Sequence, residues 1–306
     1  MTAYVVRRVL YAAIVIFGVS VAVFFLIRLG GDPSALMLPP ESSAEEIAKF
    51  RAQMGFDRPL LAQYLDFLAD AARGEFGRSL RYQQPAMQLV LERVPATLEL
   101  SGAALLLSLV VAVPLAILAA VHRGSAIDRI GLLVSLFGQS FPAFWLAIML
   151  ILLFSEVWPI FPPSGRGELR HLVLPAIALA AYSTAIITRL LRSSLIEVLG
   201  SDYVRTARGK GLSERVIVYR HALRNAAIPT LTVVGLQVGA LLGGAVITEE
   251  IFAYPGIGRL AIQSISNRDF TVVQAFVILM AVLIVTINLT LDLLYAALDP
   301  RLRKRG

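Results

Sequence analysis

Uncharged apolar residues fall into six long runs, at 9–27, 100–121, 130–155, 172–188, 226–248 and 270–291. The shortest holds 17 residues and the longest 26. A hydrocarbon core of about 30 Å needs roughly 20 helical residues, within a range of about 17–25, so each run is long enough to cross a membrane. Continuous runs, rather than short alternating ones, argue against a strand barrel. The pattern predicts an all-α, polytopic membrane protein with six transmembrane helices. The expected organisation is an N-terminal segment at 1–8, spans at 9–28, 100–121, 130–155, 172–188, 226–248 and 270–298, and a tail at 299–306. External segments are expected at 29–99, 156–171 and 249–269, with cytoplasmic loops at 122–129 and 189–225.

The first run follows Arg7 and Arg8 and ends in Phe24-Phe25-Leu26-Ile27-Arg28. It lacks a small-residue cleavage site, so it is expected to be a retained helix rather than a signal peptide. Charge then sets the sidedness. With the N-terminus inside, the inside segments carry 16 Lys and Arg against 5 Asp and Glu, whereas the outside segments carry 12 and 15. The basic excess belongs on the cytoplasmic side, so both termini are expected there. The formal net charge of +7 is thereby explained by topology and requires no nucleic acid. Composition agrees: 57% of residues are hydrophobic and only 16% charged, against about 25% charged in soluble domains.

Two connecting segments carry more than topology. The external one is too long for a bare link. Ser43 and Glu46 have capping-box spacing, followed by Ile47, Phe50 and Met54 near the helical period. Pro59 can open a second helix, with Leu61, Tyr64, Leu65 and Leu68 on one stripe. A third helix is expected over 83–94, with Met87, Val90, Leu91 and Val94 as its apolar side. These stripes suit packing on the membrane face or on each other. Both a covering subdomain and a docking surface for an external partner fit the pattern.

The cytoplasmic segment 189–225 is broken by Gly200-Ser201 and again by Gly209 and Gly211. Ser201 is expected to cap a helix starting at Asp202, and Ser213 one starting at Glu214. The result is two short helices around a glycine turn, stiff enough to transmit force. A plain basic loop held near anionic lipid fits the local pattern as well. Within the spans, Gly235, Gly239 and Gly243 have the small-xxx-small spacing of close helix packing.

Chemical signatures are sparse. The chain has no cysteine and three histidines, His122, His171 and His221. No phosphate loop, HExxH, GxSxG or paired-cysteine motif occurs, and Gly209-Lys210-Gly211 is too short for a phosphate loop. Asp292 is the one carboxylate well inside an apolar run. Such a residue is costly to bury, and a structural or interfacial role near the cytoplasmic end suits it best. With so few buried ionisable groups, any transport calls for energy from a partner.

The stretch 202–229, DYVRTARGKGLSERVIVYRHALRNAAIP, resembles the inner-membrane permease subunits of ATP-driven (ABC) importers, in their dipeptide and oligopeptide branch. The family's cytoplasmic motif is Glu-Ala-Ala, three residues, Gly. Here the alanine pair is Ala207-Arg208, the glycine is Gly211, and the later Leu-Pro is Leu223-Arg224. The peptide branch shares the run His221 to Asn225 and the following Ile228-Pro229. Further likeness lies in MGFDRPLLAQYLDF from Met54, GEFGRSL from Gly74, RVPATLEL from Arg93 and SFPAFW from Ser140. It continues in EEIFAYPGIGRLAIQSISNRDFTVVQ from Glu249 and NLTLDLLYAALDPRLR from Asn288.

The resemblance implies a type I ABC importer permease fold with its core at about 98–298. It implies coupling to an ATPase through Asp202, Tyr203, Ala207, Arg208, Gly211 and Leu212. Family-signature positions are His221, Asn225, Pro229, Glu250, Pro255, Gly256, Gly258, Arg268, Asp269 and Asp292. The implied partners are a second homologous permease subunit, two ATP-binding subunits, and a periplasmic or lipid-anchored substrate-binding protein, all at a bacterial or archaeal plasma membrane and in contact with lipid. No cofactor or metal is expected on this chain; ATP and Mg belong to the partner subunits. Peptide is the expected cargo, with nickel complexes, glutathione and oligosaccharides open as alternatives. A secondary transporter and a membrane scaffold are the rival classes.

Overall fold

The computed structural model describes residues 2–29, 42–53 and 55–298. Among these, all regular elements are helical: α1 (Thr2–Leu29), α2 (Ala44–Gln53), α3 (Leu60–Arg73), α4 (Ala86–Val121), α5 (Ala126–Ser140), α6 (Ala143–Ile151), α7 (Arg170–Leu199), α8 (Asp202–Gly209), α9 (Glu214–Val216), α10 (Leu223–Ile251), α11 (Ile257–Ser266) and α12 (Phe270–Leu298). Two π-helical turns, Leu152–Val157 and Ile217–Ala222, follow α6 and α9. Five described segments are long and apolar enough to cross a membrane: Val6–Ile27, Ala86–Val121, Arg170–Leu199, Glu214–Ile251 and Phe270–Leu291.

The apolar run 130–155 differs most from a simple span. It is divided into Ala126–Ser140 and Ala143–Val157, bent by 102° at the break, and it makes a sixth crossing only if the two pieces act together. The cause is local. Proline disfavours the helical region for the residue before it, and Phe141 is extended at φ −92°, ψ 129° ahead of Pro142. α4 differs in the other direction. Rather than a separate helix ending at 94, one 36-residue helix runs from Ala86 through the apolar run. At about 1.5 Å per residue it is about 54 Å long, well beyond a hydrocarbon core of about 30 Å. Its buried residues at the start are Ala86, Leu89 and Val90, while Leu91 is exposed. α7 likewise extends the short run 172–188 to 30 residues.

The chain forms two compact units, one of Met1–Pro95 with Gly256–Gly306 and one of Ala96–Pro255. In the first, α1 packs along α12, and an aromatic cluster ties α3 to α1. Phe24 lies 5.1 Å from Tyr64 and 5.6 Å from Phe67, centroid to centroid, and Phe67 lies 6.2 Å from Phe76. The expected capping box is present. Glu46 N donates to Ser43 Oγ (3.2 Å), and Ser43 N donates to Glu46 Oε2 (2.8 Å). Met54 lies outside the described residues.

The second unit packs α7 against α5, α6 and α10. One core combines Leu100, Leu150, Leu174, Leu179, Leu241 and Tyr254. Small residues set the helix spacing, but not at Gly239 and Gly243. A Cβ on Gly239 or Gly243 would meet nothing within 4 Å, whereas one on Gly138 of α5 would lie 2.7 Å from the Ala181 carbonyl oxygen of α7. The close approach is therefore between α5 and α7. A buried hydrogen bond from Ser183 Oγ to Gln237 Oε1 (2.9 Å) joins α7 to α10.

Candidate functional site

The segment 200–225 folds as short helices around a turn. α8 starts at Asp202 and α9 at Glu214, but neither Ser201 nor Ser213 caps its helix through the side chain. Ser201 Oγ instead donates to the Val198 carbonyl (2.6 Å), tying the turn back to α7. Asp202 stands in the first turn of α8, where a negative charge suits the helix dipole, and pairs with Arg205 at 3.3 Å. Arg208 makes a two-point ion pair with Glu214, at 2.7 and 3.3 Å, across the turn. The Glu214 hydrogen bond raises the Arg208 pKa above its ordinary value.

Gly211 is the pivot of this turn. Its φ of +79° lies in the left-handed region, which costs an L-residue with a side chain about 1–2 kcal/mol. Gly211 N donates to the Arg208 carbonyl (2.9 Å), and Leu212 N to that of Ala207 (3.3 Å). A Cβ there would meet no atom within 4 Å, so the requirement is conformational rather than steric. Leu212, just beyond, is a large apolar side chain left exposed.

Behind the turn, the segment is fastened to the helices. Val204 of α8 and Ile217 of the π-helical turn are fully buried. Val218, Ala222 and Ala226 belong to one core with Ala116, Ile117 and Ala120 of α4 and Leu191 and Leu195 of α7. Asn225 Nδ2 donates to Tyr203 Oη (2.8 Å) and to the His221 carbonyl (3.2 Å). Pro229 lies inside α10. α8 thus packs on the π-helical turn, whose Val218 and Ala222 share a core with α4, α7 and the start of α10.

A second fastening joins α5 to α7. Asp128, in the first turn of α5, accepts from Arg192 Nε (2.6 Å) and Nη2 (2.8 Å) of α7 and from the Gly124 amide (2.9 Å). Both side chains of the ion pair are largely buried. The partners are 64 residues apart, a separation at which no local pattern links them.

The remaining sequence-predicted positions belong to other segments of the chain. Glu250 is exposed near the end of α10, and Pro255 follows the buried Tyr254. Tyr254 has its phenol pushed up to about 12, chiefly by burial and also by the nearby Glu99 carboxylate. Glu99 in turn accepts Arg166 Nε at 2.9 Å. In the other unit, Gly256 precedes α11 and Gly258 is buried in its first turn. Arg268 has φ +57°, and the turn delivers Asp269 into a buried position where it accepts from Ser79 Oγ and from Thr271 Oγ1 (2.8 Å). Asp269 thus pins the 79–85 turn to the start of α12. The Asp292 side chain lies outside the described residues. Among the described residues, no group of three or more His, Asp or Glu side chains is arranged to hold a metal ion.

A family model described as the inner membrane component of binding-protein-dependent transport systems matches residues 112–304, and one for the N-terminal part of such components matches 1–101. The chain is 42% identical to the di/tripeptide transport system permease protein DppB of Pseudomonas aeruginosa, over 99% of each chain. It is 38% identical to the dipeptide transport system permease protein DppB of Escherichia coli K12, over the full length of both. To the glutathione transport system permease protein GsiC of the same strain it is 39% identical over 98% of each. Among solved structures it matches an inward-facing MetNI methionine ABC transporter with a TM-score of 0.60 at 18% identity, covering 70% of this chain and 97% of that one.

Proposed function

Because the chain belongs to the family of binding-protein-dependent transport system inner membrane components, we propose that it forms half of a peptide pathway whose α8 segment takes up force from a partner ATPase. The carrying observation is near-full-length identity of 38–42% with permeases named for di- and tripeptides, dipeptides and glutathione. All three cargoes are short peptides, glutathione being itself a tripeptide. The solved neighbour of similar fold supports the type I importer architecture.

In this reading the cargo arrives from a substrate-binding protein outside and passes between this chain and a second, homologous permease subunit. Two ATP-binding subunits sit below and carry ATP and Mg; this chain hydrolyses nothing. The exposed edge of α8 and its turn, with Arg205, Arg208, Lys210 and Leu212, enters an ATPase groove. Val204 and the Asn225–Tyr203 bond keep α8 in register with α10, while the core of Val218, Ala222 and Leu191 carries its displacement into α4 and α7. The spans of the domain organisation given above, including a permease core at about 98–298, are the parts that move.

Gentle solubilisation of native membranes, affinity isolation of this chain and mass spectrometry of its companions test the assembly. A second permease and one or two ATPases are expected. Reconstituted with the binding protein, the isolated complex is expected to take up labelled dipeptide only with ATP. Isolation of this chain alone, under conditions that keep a control importer intact, or ion-gradient uptake by the chain alone, contradicts the reading.

A further inference from the structure

α3 is apolar on two adjoining faces, and among the described residues only one of them is covered. Tyr64, Phe67 and Ala71 face α1, while Leu61, Leu65, Leu68 and Ala72 form a second stripe beside them. Leu61 is 70% exposed and Leu65 56%. Gln63, Asp66, Asp70 and Arg73 take the opposite side. There Asp66 pairs with Arg58, and Gln63 Nε2 donates to the Arg58 carbonyl (2.7 Å). An exposed leucine stripe alone says nothing about what covers it. Its height against α1 does.

The uncharged run 9–27 of α1 spans about 28 Å at about 1.5 Å per residue, which matches a hydrocarbon core of about 30 Å. Arg7 and Arg8 stand at one end and Arg28 at the other, so α1 has little freedom to slide outward. Tyr64 meets α1 well below its outer end. Its hydroxyl lies 2.8 Å from Ser20 Oγ, and its ring is 6.2 Å from that of Phe17. Ser20 Oγ spends its one proton on the Phe17 carbonyl (2.7 Å), so the tyrosine is the donor of the shared bond. Ser20 lies seven residues before Ile27, about 10 Å inside the apolar boundary. Amphipathic helices that lie in a membrane surface sink their apolar face about 5–10 Å.

We infer that α3 is seated in the outer leaflet, with Leu61, Leu65, Leu68 and Ala72 against lipid acyl chains and its acidic face toward water. Three observations concur. The depth is set by the Ser20–Tyr64 bond, the stripe carries no charge, and it adjoins the exposed surface of α1, where Phe17 and Phe25 are exposed beside the same tyrosine. Placing a polar pair at that depth is tolerable because the tyrosine proton goes to Ser20 Oγ and the serine proton to the Phe17 carbonyl. The inference is independent of cargo and of the ATPase partners.

The absence of cysteine from the sequence makes single-site labelling direct. Leu61→Cys and Leu65→Cys would carry nitroxides in the assembled transporter, in vesicles of phosphatidylethanolamine and phosphatidylglycerol. Ile14→Cys in α1 serves as the hydrocarbon reference and Glu45→Cys in α2 as the aqueous one. Collisions with dissolved oxygen and with a water-soluble nickel chelate would be compared. Both α3 labels are expected to follow Ile14, with high oxygen access and loss of nickel access. Nickel access equal to that at Glu45 overturns the inference. Shielding from both reagents at both positions also overturns it, since the stripe is then covered by protein.

Discussion

Asn225 Nδ2 donates to the phenolic oxygen of Tyr203 across 2.8 Å, joining the base of the α10 span to the first turn of α8. The same amide reaches the His221 carbonyl, so one side chain bridges the π-helical turn and α8. An exposed neutral hydrogen bond contributes about 0.5–1.5 kcal/mol. Asn225→Ala is therefore expected to loosen α8 without unfolding the spans. Faster hydrogen exchange confined to 202–213, with unchanged thermal stability of the whole, is the expected outcome. Unchanged exchange there contradicts this role.

Gly211 requires a left-handed backbone, so Gly211→Val is expected to reshape the turn at a cost of about 1–2 kcal/mol. Because nothing surrounds the position, membrane insertion should be normal. Uptake and ATP hydrolysis measured on the same vesicles are expected to separate, with peptide transport falling and hydrolysis persisting. Full uptake by this variant rules out the proposed role of the turn.

Arg192→Ala strips the buried Asp128 carboxylate of its two-point partner and leaves it the Gly124 amide. Removing one member of a buried pair costs about 3–5 kcal/mol, and the partial exposure of Arg192 puts this case at or below the lower end. The thermal midpoint of the purified transporter should fall clearly. Asp128→Asn, which keeps a hydrogen-bonding group in place, should fall less. Equal midpoints for the wild type and Arg192→Ala refute the assignment.

Gly138→Leu drives a side chain against the α7 backbone at Ala181 and is expected to prevent stable packing of α5. Gly239→Ala, by contrast, meets open space within this chain and should leave the chain's own packing intact. Detergent-resistant folded yield separates the two. The reverse ranking contradicts the observed α5–α7 approach.

Much of the fold was legible because membrane spans are written locally. Each apolar run is its own signal, and basic residues mark the expected sidedness. The Ser43–Glu46 box and the glycine turn at Gly211 were legible for the same reason, since their partners lie within a few residues. Three features were not. The bend at Phe141–Pro142 is hidden by an apolar run that continues on both sides of it, although the proline was visible. The continuity of α4 from the expected helix at 83–94 into the apolar run is masked by the charges of Glu92, Arg93 and Glu99, which a helix longer than the bilayer can carry outside it. The Asp128–Arg192 and Ser79–Asp269 pairs join residues 64 and 190 apart and leave no trace in the local pattern. Ser201 and Ser213 erred in the opposite sense. They occupy cap positions, but Ser201 bonds back to α7, an alternative open to any serine hydroxyl at a helix boundary.

Leu212 is the side chain that reports whether the α8 turn is seated in an ATPase subunit. In the assembled transporter, Leu212→Cys is expected to crosslink to an ATP-binding subunit and to be shielded from a membrane-impermeant maleimide applied to inside-out vesicles. Removing the ATPases should restore labelling. Rapid labelling of Leu212→Cys in the intact, transport-competent complex, with no crosslink to either ATPase, would contradict the account.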